Sequence, residues 1–194
     1  MKYWAVPLVA AILFLGYSPC HSQAPVGYIG LFAGEHHGPW CVEGEGFYPV
    51  EMWIWCLPSF NGQICSEFAI SYPPNVIKST FAANVAILAV TLPGCIMCED
   101  NICKFCCCYN SCQMDWHWMC HQLLYVTDQT PSYCEIIPNP DVGAYHFANC
   151  DDGYPFEPCI KYTNLYFNYS PGDPECSVTA VEVTSWGAIK SLFR

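Results

Sequence analysis

The stretch CIMCEDNICKFCCCYNSC, residues 95–112, carries seven cysteines, three of them adjacent. Such a run can ligate a metal, exchange electrons through a dithiol, or cross-link the chain. Cys95, Cys98, Cys103 and Cys106 form C-x2-C-x4-C-x2-C, two knuckles that could offer four thiolates to zinc. Zinc ribbons separate their knuckles by roughly 15–20 residues, and four residues leave little chain for the turn. The spacing also departs from the bacterial ferredoxin run, in which a Cys-Pro closes the pattern. Cys112, His117, Cys120 and His121 offer a second ligand set, with the two histidines on one face if the segment is helical. The Trp and Tyr around them favour a strand, which spreads the histidines apart. The C-x-x-C pairs lie in what reads as a cysteine-crowded loop, not at the start of a helix after a strand, where thioredoxin-like chemistry places them.

Compartment weighs on this choice. Residues 1–22 have the anatomy of a secretory signal peptide, with Lys2 before an apolar core at 5–15 and small residues up to Ser22. A second small-residue site follows Ala24. The apolar core is shorter than the roughly 20 residues of a membrane-spanning helix, and no later segment is long and apolar enough. An exported chain meets oxidising conditions, so disulfides are the expected fate of most cysteines. The candidates are Cys41, Cys56, Cys65, Cys106, Cys107, Cys108, Cys112, Cys134, Cys150, Cys159 and Cys176, with Cys95, Cys98, Cys103 and Cys120 beside them. Removing Cys20 from sixteen leaves an odd number, so at least one is free, metal-bound or paired with another molecule.

Other chemistry is sparse. His36 and His37 lie with Glu35, Glu43 and Glu45 in a glycine-rich segment, and Asp151-Asp152-Gly reads as a turn. Trp53/Trp55 and Trp116/Trp118 are W-x-W pairs, each on one face of a strand. Exposed, they would offer sugar rings a platform; buried, they fill a core. The G-x-S-x-G, H-E-x-x-H and P-loop motifs are absent. No catalytic residue and no cofactor is assigned.

These residues must be held by strands. Alternating apolar runs at 28–33, 50–57, 64–72, 76–81, 85–91, 115–126, 133–137, 144–148, 165–169 and 177–184 are separated by Asn61-Gly62, Pro93-Gly94, Asn139-Pro140-Asp141, Asp151-Asp152-Gly153 and Pro171-Gly172-Asp173. Short strands with regular turn signals indicate an all-β chain, an antiparallel β-sandwich rich in disulfides, built as one domain over 23–194. Residues 184–194 differ. Thr184 or Ser185 can cap a short helical turn whose Trp186, Ile189, Lys190 and Phe193 form one stripe. Formal net charge is −11, and loss of Lys2 lowers it further. Such a surface repels nucleic acid and anionic lipid.

Two likenesses follow. Cys112 and Trp116, then Ile136, Pro140, Asp141 and Gly143, then Ser185, Trp186, Gly187, Ile189, Lys190 and Leu192 resemble the shared positions of a group of uncharacterised secreted bacterial proteins. Ser185 stands where that group has threonine. This likeness implies a secreted or periplasmic location and imports no activity. The segment SEFAISYPPNVI also resembles a strand and proline-bounded turn of cohesin-type jelly-roll sandwiches. The readings that remain are a secreted, non-catalytic interaction or structural module with a protein or glycan partner, a carbohydrate- or metal-binding module, and an enzyme of unidentified class. Intact-mass analysis of the exported protein should give a chain beginning at Gln23; retention of Met1 would contradict the leader.

Overall fold

The structure is a computed structural model that describes residues 26–36, 38–86, 96–170 and 172–176. Among them twelve strands follow one another: β1 (Gly27–Phe32), β2 (Cys41–Val42), β3 (Tyr48–Leu57), β4 (Gln63–Ser71), β5 (Val76–Ala83), β6 (Ile96–Glu99), β7 (Ile102–Gln113), β8 (His117–Val126), β9 (Ser132–Ile137), β10 (His146–Ala148), β11 (Phe156–Thr163) and β12 (Leu165–Phe167). The expected leader, the strand at 177–184 and the helical turn at 184–194 lie outside the described residues. Of the strand expected at 85–91, Val85 and Ala86 form a turn and the rest lies outside as well.

The strands make a β-sandwich. One sheet runs β11–β1–β3–β8–β5, the other β6–β7–β4. The far edge of β4 is shared: Cys65–Glu67 pair with β10 and Ala69–Ser71 with β9. β11 joins the two sheets, pairing with β10 through Phe156–Pro158 and with β1 from Cys159 onward. Pairing is antiparallel except for β1 with β11 and β2 with β12, so the sheets are mixed where a purely antiparallel arrangement was expected. Partners so distant in sequence need no tight connection, which leaves either direction open to them. Pro49 sits where β3 has outrun β1 and has β8 as its neighbour, a position that tolerates a missing N–H.

The inner faces of both sheets meet in one core. Met52, Ile54, Phe68, Phe105, Met119 and Leu124 are fully buried in it, each worth about 1.5–3 kcal/mol of burial. The cysteine-rich stretch contributes directly. It is not the irregular loop read from its sequence but the β6–β7 hairpin, turned at Asp100 with φ 48°. Cys103, Phe105, Cys107 and Tyr109 point inward, while Cys106 and Cys108 are exposed. Counting cysteine as apolar restores the period of two. β11 was also missed, since FEPCIKYT alternates weakly and contains a proline.

Four described disulfides brace this frame: Cys41–Cys176, Cys65–Cys108, Cys98–Cys103 and Cys112–Cys150. Cys107 is also disulfide-bonded. Chain-entropy arguments weight them unequally. Cys41–Cys176 spans 135 residues and contributes about 5 kcal/mol, whereas Cys98–Cys103 spans five and contributes about 2. Gly62 faces Cys112–Cys150 with φ 73°, and a Cβ there would lie 2.5 Å from Cys112 Sγ and 2.8 Å from Cys150 Sγ. Gly62→Ala combines left-handed strain with that clash. It should cost at least about 2 kcal/mol in urea unfolding of the oxidised protein; an unchanged midpoint would show that the turn relaxes freely.

Candidate functional site

The cysteines and histidines singled out in the sequence are dispersed by the fold. Cys98 is bonded to Cys103 and Cys112 to Cys150, so these four are unavailable as thiolates. Cys106 lies on the exposed face of β7, and Cys95 lies outside the described residues. His117 and Cys120 point into the core while His121 points out, because a bulge at Met119, where the pairing with β3 skips a residue, reverses the alternation between the two histidines. Among the described residues no three His, Cys, Asp or Glu are grouped to hold a metal. Cys56, Cys134 and Cys159, expected among the bonded cysteines, are buried thiols, as is Cys120. The hydrophobic effect places them as small apolar side chains, and pairing across a sheet interior would need them to face one another. Glu35, His36, Glu43 and Glu45 are exposed on loops; His37 lies outside the described residues. Asp151 is part of a turn, its N–H bonded to Asn149 Oδ1 and its carbonyl to the Tyr154 N–H.

One buried polar cluster, which spacing did not reveal, sits between the sheets. Gln63 Nε2 donates to Ser66 Oγ and, at 3.2 Å, to Tyr109 Oη. Ser66 Oγ lies 2.7 Å from that hydroxyl, and Tyr109 in turn donates to Cys56 Sγ at 3.9 Å. The Tyr109 ring meets His117 edge to face at 4.9 Å, and His117 Nδ1 lies 2.9 Å from the Asp115 carbonyl. Gln63 Oε1 and His117 Nε2 are buried without hydrogen-bond partners. Cys56, Ser66 and His117 are residue types of nucleophilic catalysis, but their setting stabilises the neutral forms. Burial pushes the Cys56 thiol up to about 12, and the bonds from Tyr109, Gln63 and Ser66 recover only part of it. Burial also lowers His117 to about 4, the bond to Asp115 opposing. Cys120 and Tyr109 are raised well above their ordinary values by burial first and by Cys56 beside them.

The two outer faces differ. On the outer face of the β6–β7–β4–β10 sheet, β4 and β7 are stitched at Cys65–Cys108, whereas Cys98–Cys103 ties β6 to β7 on the inner side; each pair is a direct register pair. Cys106, Glu67 and His146 follow in one row across β7, β4 and β10. Asn139 Nδ2 donates to Glu67 at 3.0 Å, and Lys104 pairs with Asp141 at 2.9 Å.

The outer face of β1–β3–β8 is aromatic. Trp53 and Trp55, 5% and 9% exposed, are covered there with Phe32 by Trp40, Trp116, Trp118 and Tyr162. His121 stacks on Trp53 at 4.4 Å and pairs with Glu51 at 2.7 Å. The buried reading of its W-x-W pair puts Trp116 between the sheets; it is instead half-buried outside them, because it precedes β8 and stands beside Tyr162 of β11. Trp118 meets Trp53, and Trp116 meets Tyr162, edge to face.

No protein-family model and no curated protein matches the chain. Solved structures do. The sixth cohesin of scaffoldin B from Acetivibrio cellulolyticus, in complex with a dockerin, has a TM-score of 0.54 at 13% identity, over 75% of this chain and 99% of that one. The cohesin–dockerin complex Coh-OlpC-Doc435 from Clostridium thermocellum gives 0.51 at 10% identity, over 75% and 94%. At these identities the likeness defines the fold, a cohesin-like β-sandwich.

His117 makes stability pH-dependent. Its folded pKa is below the ordinary value of about 6.5, so the unfolded chain takes up the proton first as pH falls. Stability is full above pH 6.5 and declines towards pH 4, by about 3 kcal/mol. Glu157 and Asp128 also have lowered values; their contribution is full above the ordinary values of 4.5 and 3.8 and is lost as pH falls from there, at the foot of this window and below it. Urea midpoints measured between pH 7 and 4.5 should fall for the native protein and stay nearly level for His117→Gln. Equal slopes would place the proton elsewhere.

Proposed function

We infer that this chain is an exported, non-catalytic interaction module, stiffened by disulfides, that engages a protein partner through the outer face of β6–β7–β4–β10. The observation that carries this reading is the cohesin-like sandwich itself, whose structural neighbours include cohesins solved with bound dockerins. The Cys65–Cys108 disulfide across that face supports it, because a surface ordered before encounter loses less conformational entropy on binding. Met97 is exposed there beside Lys104, an apolar contact next to a fixed charge. The neutral, enclosed setting of Cys56, Ser66 and His117 supports a role without catalysis. Export fits both the leader-like residues 1–22 and the disulfides. The edge-to-face packing of the tryptophans favours a protein partner over a glycan, since stacked sugar rings need indole faces laid open.

A photo-crosslinker at position 97 tests this in the extracellular fraction of the organism that encodes the chain. It should give one discrete protein adduct, reduced at least about tenfold by Lys104→Glu and absent when the crosslinker is at position 77 on the other sheet. No adduct from 97, or the same adducts from both positions, would overturn the assignment.

A further inference from the structure

Among the described residues, β5 ends one sheet and pairs only with β8, while β6 ends the other and pairs only with β7. A cleft of about 620 Å³ lies between these two edges, lined by Lys78, Ser79, Thr80, Phe81, Ile96 and Cys98. Sites for small molecules span roughly 300–1,000 Å³. The walls are of two kinds. Phe81 and Ile96 pack on the core from the cleft side, and Phe81 is fixed edge to face on Phe105. Polar groups come from a bulge in β5. Its pairing with β8 shifts between Lys78 and Phe81, which sets Ser79 and Thr80 out of the ladder beside Lys78.

Lys78 gives the cleft its charge. Lys104 and Lys161 are each ion-paired with a carboxylate, of Asp141 and Glu135. Lys78 Nζ instead donates to the Asp100 carbonyl in the β6–β7 turn and lies 4.8 Å from the centre of the Tyr72 ring. The ammonium is thus held from β5 across to the opposite sheet by a carbonyl and a ring. It has three donors, and the carbonyl takes one. Burial lowers the Lys78 pKa, with Asp100 opposing; an anion bound there would favour the charged form that burial disfavours. Seventeen acidic residues face six basic ones in this chain. Against that excess, a half-buried cation with no carboxylate ion-paired to it among the described residues suits an anion supplied from outside.

We propose that the β5–β6 cleft binds a small amphipathic carboxylate, its oxygens on Lys78 Nζ and its apolar body against Phe81 and Ile96. The ammonium orients the head, and removal of the tail from water supplies affinity. The cleft opens between the sheets and not on the outer face of β6–β7–β4–β10, so this site and the protein-binding face stand or fall separately.

Octanoate is the probe. Titrated into the full oxidised chain, it should shift the methyl resonances of Ile96 and Thr80 saturably. Octylammonium keeps the tail, reverses the charge and should bind at least about tenfold more weakly. Acetate, the head alone, should leave both signals in place. Lys78→Gln should weaken octanoate binding at least about tenfold, and Ile96→Trp, which fills the cleft, should abolish it. Lys161→Gln should bind as the native chain does. Unchanged far-UV spectra and thiol counts would show that these variants are folded. Equal binding of octylammonium, full affinity in folded Lys78→Gln, or no shift at Ile96 and Thr80 with millimolar octanoate would each overturn the assignment.

Discussion

Phe68 of β4 stacks on Phe105 of β7 with ring centroids 4.7 Å apart, and the rest of the sandwich depends on that contact. β4 is the one strand that meets β7 along one edge and both β9 and β10 along the other. Through β9 it holds β12 and β2, and through β10 it reaches β11 and the opposite sheet. Phe81 of β5 closes edge to face on Phe105 at 5.1 Å, so a strand of the other sheet rests on the same ring. A slip of one residue in β4 would turn Ser66, Phe68 and Ile70 outward together and leave that pair without a core.

The register that buries Phe68 also buries Ser66 and Tyr109, which brings polar atoms into a largely apolar interior. They are accommodated by bonding to one another and to Gln63 and Cys56, a network whose members stay uncharged at neutral pH. An ionised group there would lack the solvation that its burial removes. The catalytic residue types in this cluster thus reflect how the core tolerates polarity. The orphaned Gln63 Oε1 and His117 Nε2 mark where that tolerance is incomplete.

Period-two alternation forces each strand to present a second face, and the two sheets handle theirs differently. The β6–β7–β4–β10 surface exposes charged and sulfur-bearing groups and is tied across β4 and β7 by the Cys65–Cys108 disulfide. The β1–β3–β8 surface carries so much indole and phenyl area that it forms a second apolar layer of its own. It lies beside the Cys41–Cys176 disulfide, where Trp40 also donates to the Glu175 carbonyl. The first surface is suited to a partner, while the second is held together by its own edge-to-face contacts.

Alternation was legible wherever ordinary apolar residues carried it, as in VEMWIWCL of β3 and ICSEFAISY of β4. It failed at β7, where cysteines read as cross-links concealed a strand, and at β11, whose two halves serve different sheets. Turn chemistry located Asn61-Gly62 and Asp151-Asp152-Gly153, because left-handed backbone and side-chain-capped turns are local demands. The sequence by itself determined the all-β class and the strand-and-turn rhythm, since each follows from neighbouring residues. Only the tertiary structure decided which cysteines bond, which of Trp53's neighbours roof it, and that Gln63, Ser66, Tyr109, Cys56 and His117 meet. Those outcomes depend on pairings such as β4 with β7 and β3 with β8, between strands some forty to seventy residues apart. Local pattern sets which way a side chain faces, while long-range register sets what it faces.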